Sequence, residues 1–307
     1  MRELLRRRHS NPEFDAELTY TDAAGVVHQL AFRLTTRGRS RLESCSFPPL
    51  RLIFDPNTAK GTIFEDQRRL KMVTQCKRGR RGADWVLQEF GIYRAYNVIT
   101  DFSYRVRRLE VTFRDTKSSK WQRVQTTFLI ESTGEAARRL KRDSIEPPQI
   151  EPEQFSVLET THQLLFQYLI GNTDFAVKRG SSGEKCCHNG RVLAESGREV
   201  NWVVLPFDFD QAGAINTDYA MPHARLPIRK VSSRLYRGFC WQNSTLPQSI
   251  AEFNEHRGDI TEALLQVGLA KSSRAREKRF IDRFYEIVND ADTLKREITN
   301  QCRGPRK

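Results

Sequence analysis

Nowhere does the 307-residue chain hold a run of about 20 apolar residues, the length a membrane-spanning helix needs. Its six cysteines, Cys45, Cys76, Cys186, Cys187, Cys240 and Cys302, form no C-x-x-C pair, which argues against a zinc ribbon. Consecutive side chains such as Cys186, Cys187 and His188 do not converge easily on one ion. Cys45 and Cys76 read as a bridge if the protein is exported and as plain buried thiols if it is not. No histidine pairs with a Ser or Cys in the manner of a hydrolase triad. Multi-glycine loops, internal repeats and low-complexity tracts are missing. So is any recognisable RNA- or DNA-binding motif, which speaks against nucleic acid as a partner. Acid is scarce relative to base: 38 Asp and Glu stand against 51 Lys and Arg, a surplus of 13 positive charges that favours acidic partners.

What is present suits a folded protein of two domains or one bilobal unit. Hydrophobic residues make up 38% and Phe alone numbers 18, enough for a sizeable core. The start, Met1-Arg2-Glu3-Leu4-Leu5-Arg6-Arg7-Arg8, is basic without an apolar signal region. That reads as cytoplasmic if the start is correct and as exported if the N-terminus is truncated.

Strand signals dominate the first half. Residues 14 to 34 read as a hairpin turning through Asp22-Ala23-Ala24-Gly25, followed by strands at Leu50 to Phe54 and Leu70 to Val73. A helix is expected over 84 to 98, then strands at Arg105 to Phe113 and Val124 to Glu131. Pro147, Pro148 and Pro152 mark residues 142 to 154 as a linker or inter-lobe crossing. Beyond it, Phe155 to Ile170 reads as a helix, and Phe280 to Val288 carries an apolar stripe with Ser272 or Ser273 available as N-cap. The expectation is an α+β chain, with a strand-rich N-lobe over 1–142 and a helix-rich C-lobe over 143–307.

The chemistry concentrates between Tyr168 and Asp210. One apolar run ends in I-G-N-T-D at Asp174, Asn189 follows, and a second apolar run ends in L-P-F-D-F-D at Asp208 and Asp210. An acid, an amide and a second acid in that order suit phosphoryl transfer: one carboxylate deprotonates the acceptor while the others hold Mg²⁺ on ATP. Hard oxygen ligands match a divalent cation that must neutralise a triphosphate. Upstream, Lys71 lies between apolar neighbours on a short strand, and Glu89 on the next helix is its natural partner for contacting phosphates. The turn Thr36-Arg37-Gly38-Arg39-Ser40-Arg41 offers Arg37 and Arg39 to the same phosphates. Phe128 to Glu131 falls where a hinge would grip adenine. The arginines of Tyr219 to Trp241 occupy the position of a substrate loop that could take an acidic or phosphorylated side chain.

T-R-G-R-S-R, the apolar strand after F-P-P, L-K-M-V, I-G-N-T-D and L-P-F-D-F-D, in this order over residues 30 to 245, resemble the CotH-type spore-coat kinase family and its bacterial relatives. The resemblance implies an atypical protein-kinase-like fold that transfers phosphate from ATP to Ser or Thr with Mg²⁺ or Mn²⁺. It casts Asp174 as the catalytic-loop acid, Asn189 as a metal-binding amide, Asp208 as the metal-binding acid and Lys71 as the nucleotide-contacting lysine. Two departures stand out. From Asp174 to Asn189 is 189 − 174 = 15 positions, against about five in kinase catalytic loops. Either Lys178 to Cys187 bulges outward or Asn172 takes the amide role. The alternative expectation is a catalytically inactive module of the same fold that binds nucleotide or another protein.

Overall fold

Alternation of apolar and polar residues produces the first hairpin as expected. Strands β1 (Phe14–Thr21) and β2 (Val27–Thr36) pair antiparallel, with Phe14 opposite Leu34 and Thr21 opposite Val27. The Asp22 carboxylate accepts hydrogen bonds from the Ala24 and Val26 amides at 2.9 Å each, and Gly25 takes φ +83° to complete the turn. This computed structural model describes residues 1–38, 40–181 and 183–304. The chain divides into two units, Met1–Leu87 with Val106–Glu135, and Gln88–Arg105 with Ala136–Lys307. Residues 88–105 and 136–142, which the sequence reading placed in the first lobe, group with the second unit.

The first unit is a six-stranded antiparallel sheet. β3 (Leu50–Ile53), β4 (Arg69–Val73), β5 (Val106–Asp115) and β6 (Ser118–Ile130) complete it in the order β1-β2-β3-β4-β6-β5. Short helices α1 (Arg2–Arg6), α2 (Ser40–Ser44) and α3 (Pro56–Ala59) accompany the strands. Leu34, Phe47, Leu50, Leu52, Phe54, Leu70, Met72 and Phe113 belong to one buried cluster. Leu70 and Met72 point to this core, so strand pleating sends Lys71 to the opposite face. β4 is an interior strand: Lys71 lies opposite Arg51 on β3 and Ile130 on β6. A disulfide joins Cys45 to Cys76 across 31 positions.

The basic turn after β2 is more structured than its sequence suggests. Ser40–Ser44 closes into α2, and Arg41 is buried. Arg37 is half-buried, and its amide bonds to the Pro49 carbonyl. Arg39 lies outside the described residues.

Helix α4 (Arg80–Ile99) begins four residues earlier than expected, and the division between the units falls within it. α5 (Thr133–Arg139) follows β6. The second unit is built around α6 (Val157–Ile170), in which every residue from Thr160 to Ile170 is buried. A helix buried on all sides is central packing rather than a surface amphipath. Residues 142–154 are not a plain linker. Asp143–Ile145 forms β7, paired to β8 (Gly190–Ala194), which pairs in turn with β9 (Val203–Pro206). The three residues precede the prolines, so their amides remain available to a ladder.

Helices α7 (Leu246–Glu255), α8 (Arg257–Leu265), α9 (Lys271–Val288) and α10 (Ala291–Glu297) finish the unit. The N-cap of α9 is Ala270 rather than a serine, and Ser273 is buried inside the first turn. Cys240 and Cys302 are bridged across 62 positions, and Cys186 is bonded to its neighbour Cys187. Strands dominate the first unit and helices the second, a mixture in keeping with the α+β class. No helix among the described residues is long and apolar enough to cross a membrane.

Candidate active site

Helix α6 delivers Asp174 by stopping abruptly. Gly171 takes φ 63° at its C-cap and donates to the Gln167 and Tyr168 carbonyls. A Cβ at this position would lie 2.6 Å from Cζ of Phe280, so the turn has room for glycine alone. Asn172 then fixes the loop: its Nδ2 donates to Gln167 Oε1 at 2.9 Å, and its Oδ1 accepts from the Asp174 amide at 3.0 Å. Asn172 is thereby committed to shaping the loop.

The excursion between Asp174 and Asn189 returns to where it left. Ala176 bridges His188 in a short antiparallel contact. Asn189 Nδ2 donates to the Asp174 backbone oxygen at 2.8 Å and to Asp174 Oδ2 at 3.0 Å. The other carboxylate oxygen, Oδ1, accepts from His188 Nε2 at 2.9 Å. Fifteen positions of sequence thus separate two side chains that touch. The Asp174 side chain keeps 36% of its surface exposed, enough for a hydroxyl to approach.

Asp208 reaches the same end of the small sheet. Beyond β9, the Phe207 amide donates to the Asn189 carbonyl at 3.0 Å, which extends the β8–β9 ladder and sets Asp208 one residue past Asn189's partner. Its amide donates to the Tyr93 hydroxyl at 3.0 Å, and its φ is +64°. Asn189 is also left-handed, at φ +52°. Asn and Asp tolerate this region better than other side chains do, and here they turn the two arms of the hairpin out of the ladder. Phe209 anchors the segment, its ring 4.8 Å from that of Tyr93. Asp210 is buried, and its carbonyl accepts from Thr217 Oγ1 at 3.3 Å.

The carboxylates leave their mark on His188. Its hydrogen bond to Asp174 raises the imidazole above its ordinary range; partial burial opposes this, and the charges of Asp174, Asp208 and Glu184 add to the rise. The sequence offers His188 only as part of the Cys186-Cys187-His188 run, and nothing in it signals a bond to Asp174.

Two of the arginines expected to meet substrate, Arg234 and Arg237, have another use. Arg237 Nη1 donates to the carbonyls of Thr173 and Phe175, at 2.5 and 2.6 Å, and its guanidinium lies 4.7 Å from the Phe175 ring. Arg234 donates to the carbonyls of Tyr168, Leu169 and Phe280. Burial pushes both guanidinium groups down to about 10.

The chain matches no protein-family model and no curated protein sequence. The site must therefore be read from its own chemistry.

Asp174, Asn189 and Asp208 converge within the second unit. Lys71, on β4, and Arg37 belong to the first unit, and Glu89 is a buried residue in the part of α4 that groups with the second. Cys186 and Cys187 are tied to each other and offer no thiolate. Among the described residues no three His, Cys, Asp or Glu side chains form a metal-binding group. The metal set read from sequence is an amide oxygen on Asn189 and the carboxylates of Asp208 and Asp210. With Asn189 Nδ2 turned to Asp174, its Oδ1 is the atom left for a cation. Hard oxygens of this kind fit Mg²⁺ or Mn²⁺, which fill much of their coordination with phosphate oxygens and water.

Proposed function

We propose that the protein is a metal-dependent ATP phosphotransferase, an atypical kinase of the CotH type acting on a hydroxyl acceptor of Ser or Thr kind. The observation that carries this reading is the contact between Asn189 and Asp174 across 15 positions, with Asp208 on the adjoining strand end. Bound ATP with Mg²⁺ or Mn²⁺ would supply the γ-phosphoryl group and neutralise its charge. Asp174 orients the acceptor hydroxyl and takes its proton as the oxygen bonds to γ-phosphorus and the bond to the β–γ bridging oxygen breaks, releasing ADP. Asn189 Oδ1, Asp208 and Asp210 would hold the cation. Lys71 would steady the phosphates, with Glu89 as the partner expected from sequence, and Arg37 and Arg39 would add positive charge. A protein-kinase-like bilobal fold is part of the same proposal, as is an acidic protein or small-molecule acceptor drawn by the surplus of 13 positive charges.

The disulfides suggest where it works. Three bridges in one chain point to an oxidising compartment, because cytosolic thiols are kept reduced.

The test is labelled-ATP autophosphorylation with Mg²⁺ or Mn²⁺, beside thermal shift with ATP and metal. Asp174→Ala should lower turnover by at least 100-fold and keep the nucleotide-dependent shift, whereas Asp208→Asn should lose most of that shift. An Asp174→Ala protein as active as the parent removes the proposed base. Stabilisation by ATP without turnover in the parent would instead favour a nucleotide-binding module.

A further inference from the structure

We propose that Arg237 is the positioning residue of the site, clamping the backbone on both sides of Asp174 so that the carboxylate keeps a single direction. This rests on Asp174 being the group that receives the acceptor's proton. One guanidinium nitrogen, Nη1, donates to the carbonyl just before Asp174 and to the one just after it. The plane of the same group stacks over Phe175, whose buried ring belongs to the apolar cluster beneath the loop. Side-chain bonds from His188 and Asn189 then act on a backbone that cannot turn.

The guanidinium's hydrogen bonds go to peptide oxygens, and the charge of Asp174 acts on it through space. Removing a charge from water is costly, and holding the acid's own loop is the gain that offsets it. Arg237 is itself braced. Its carbonyl accepts from the Arg303 guanidinium, Arg303 stacks 4.4 Å from the Phe239 ring, and the Cys240–Cys302 bridge ties the two segments together. Arg234, three residues earlier, caps the last carbonyls of α6 in the same manner and lies 3.7 Å over Phe280, the ring that also faces Gly171. The R-L-Y-R segment therefore holds the helix end, the glycine turn and the acid in one frame. A displacement of about 1 Å at a reacting group costs on the order of 100-fold in rate.

Arg237→Met and Arg237→Lys separate the possibilities. With Mn²⁺ and labelled ATP, kcat per folded molecule should fall about 100-fold for Met and about tenfold for Lys, since lysine keeps the charge but not the planar fork. KM for ATP should stay within twofold, and the ATP–metal thermal shift should persist, because nucleotide binding does not pass through this arginine. Full kcat in Arg237→Met overturns the clamp. A parent with no turnover sinks the phosphotransfer reading instead, and the clamp is then judged by amide exchange. Amides 172–176 should exchange at least tenfold faster in either variant, with the His188 ring resonances shifted; unchanged exchange and resonances would dispose of it. Should the Met protein fail to fold, the Lys protein carries both measurements.

Discussion

Gly171 and His188 are single side-chain decisions with measurable effects. Alanine at Gly171 would have to adopt φ 63° and press its methyl into Phe280. A cost of about 2 kcal/mol or more is expected, seen as a lower denaturation midpoint at unchanged m-value. His188 should titrate above 6.5 in metal-free protein by NMR and return toward that value in Asp174→Asn, the first cause of its shift being the Asp174 hydrogen bond. Because its folded value exceeds the unfolded one, its contribution to stability is full below about 6.5 and is lost as pH rises through the folded value. Asp174 and Asp208 were readable because apolar runs deliver them. Arg237 was not, since carbonyl oxygens carry no signature in a sequence and four arginines on one segment look like a surface.

Elements with a strict period were the easiest to anticipate. The alternation in β1 and β2 and the D-A-A-G turn between them give a register that the pairing of Phe14 with Leu34 follows. Lys71 on β4 was expected between apolar neighbours, and the sheet order makes that strand an interior one. Helix α6 shows where periodicity falls short. Its leucines suggested a stripe, yet Thr161, Gln163 and Gln167 are buried as well; Thr161 bonds to Thr245, 84 residues on, and Gln167 accepts from Asn172 in the adjoining loop. With no solvent-facing side to relax into, Leu165→Ala on α6 should cost about 2–5 kcal/mol by chemical denaturation. The strand β7 was hidden by neighbouring prolines, and Ser273 offered a cap that α9 does not use.

At the scale of the whole molecule, covalent closure is the feature least legible beforehand. Pairing of Cys45 with Cys76 was one of two alternatives, whereas Cys240 with Cys302 depends on a fold that brings residues 62 apart together. In the loop-entropy picture, separations of 31 and 62 correspond to about 3.7 and about 4.3 kcal/mol of stability. Replacing either pair with serine should lower the unfolding free energy by an amount of that order. Thiol titration of the denatured, unreduced chain should find none of the six cysteines reactive. The larger ring also alters what proteolysis can achieve. Residues 241–301 form a covalent handle running through α7, α8, α9 and α10, so a single cut there leaves both pieces attached through sulfur. The nicked protein should migrate as one band until a reductant is added and as two afterwards, and the end bearing Arg303 would stay tethered beside Arg237 despite the break.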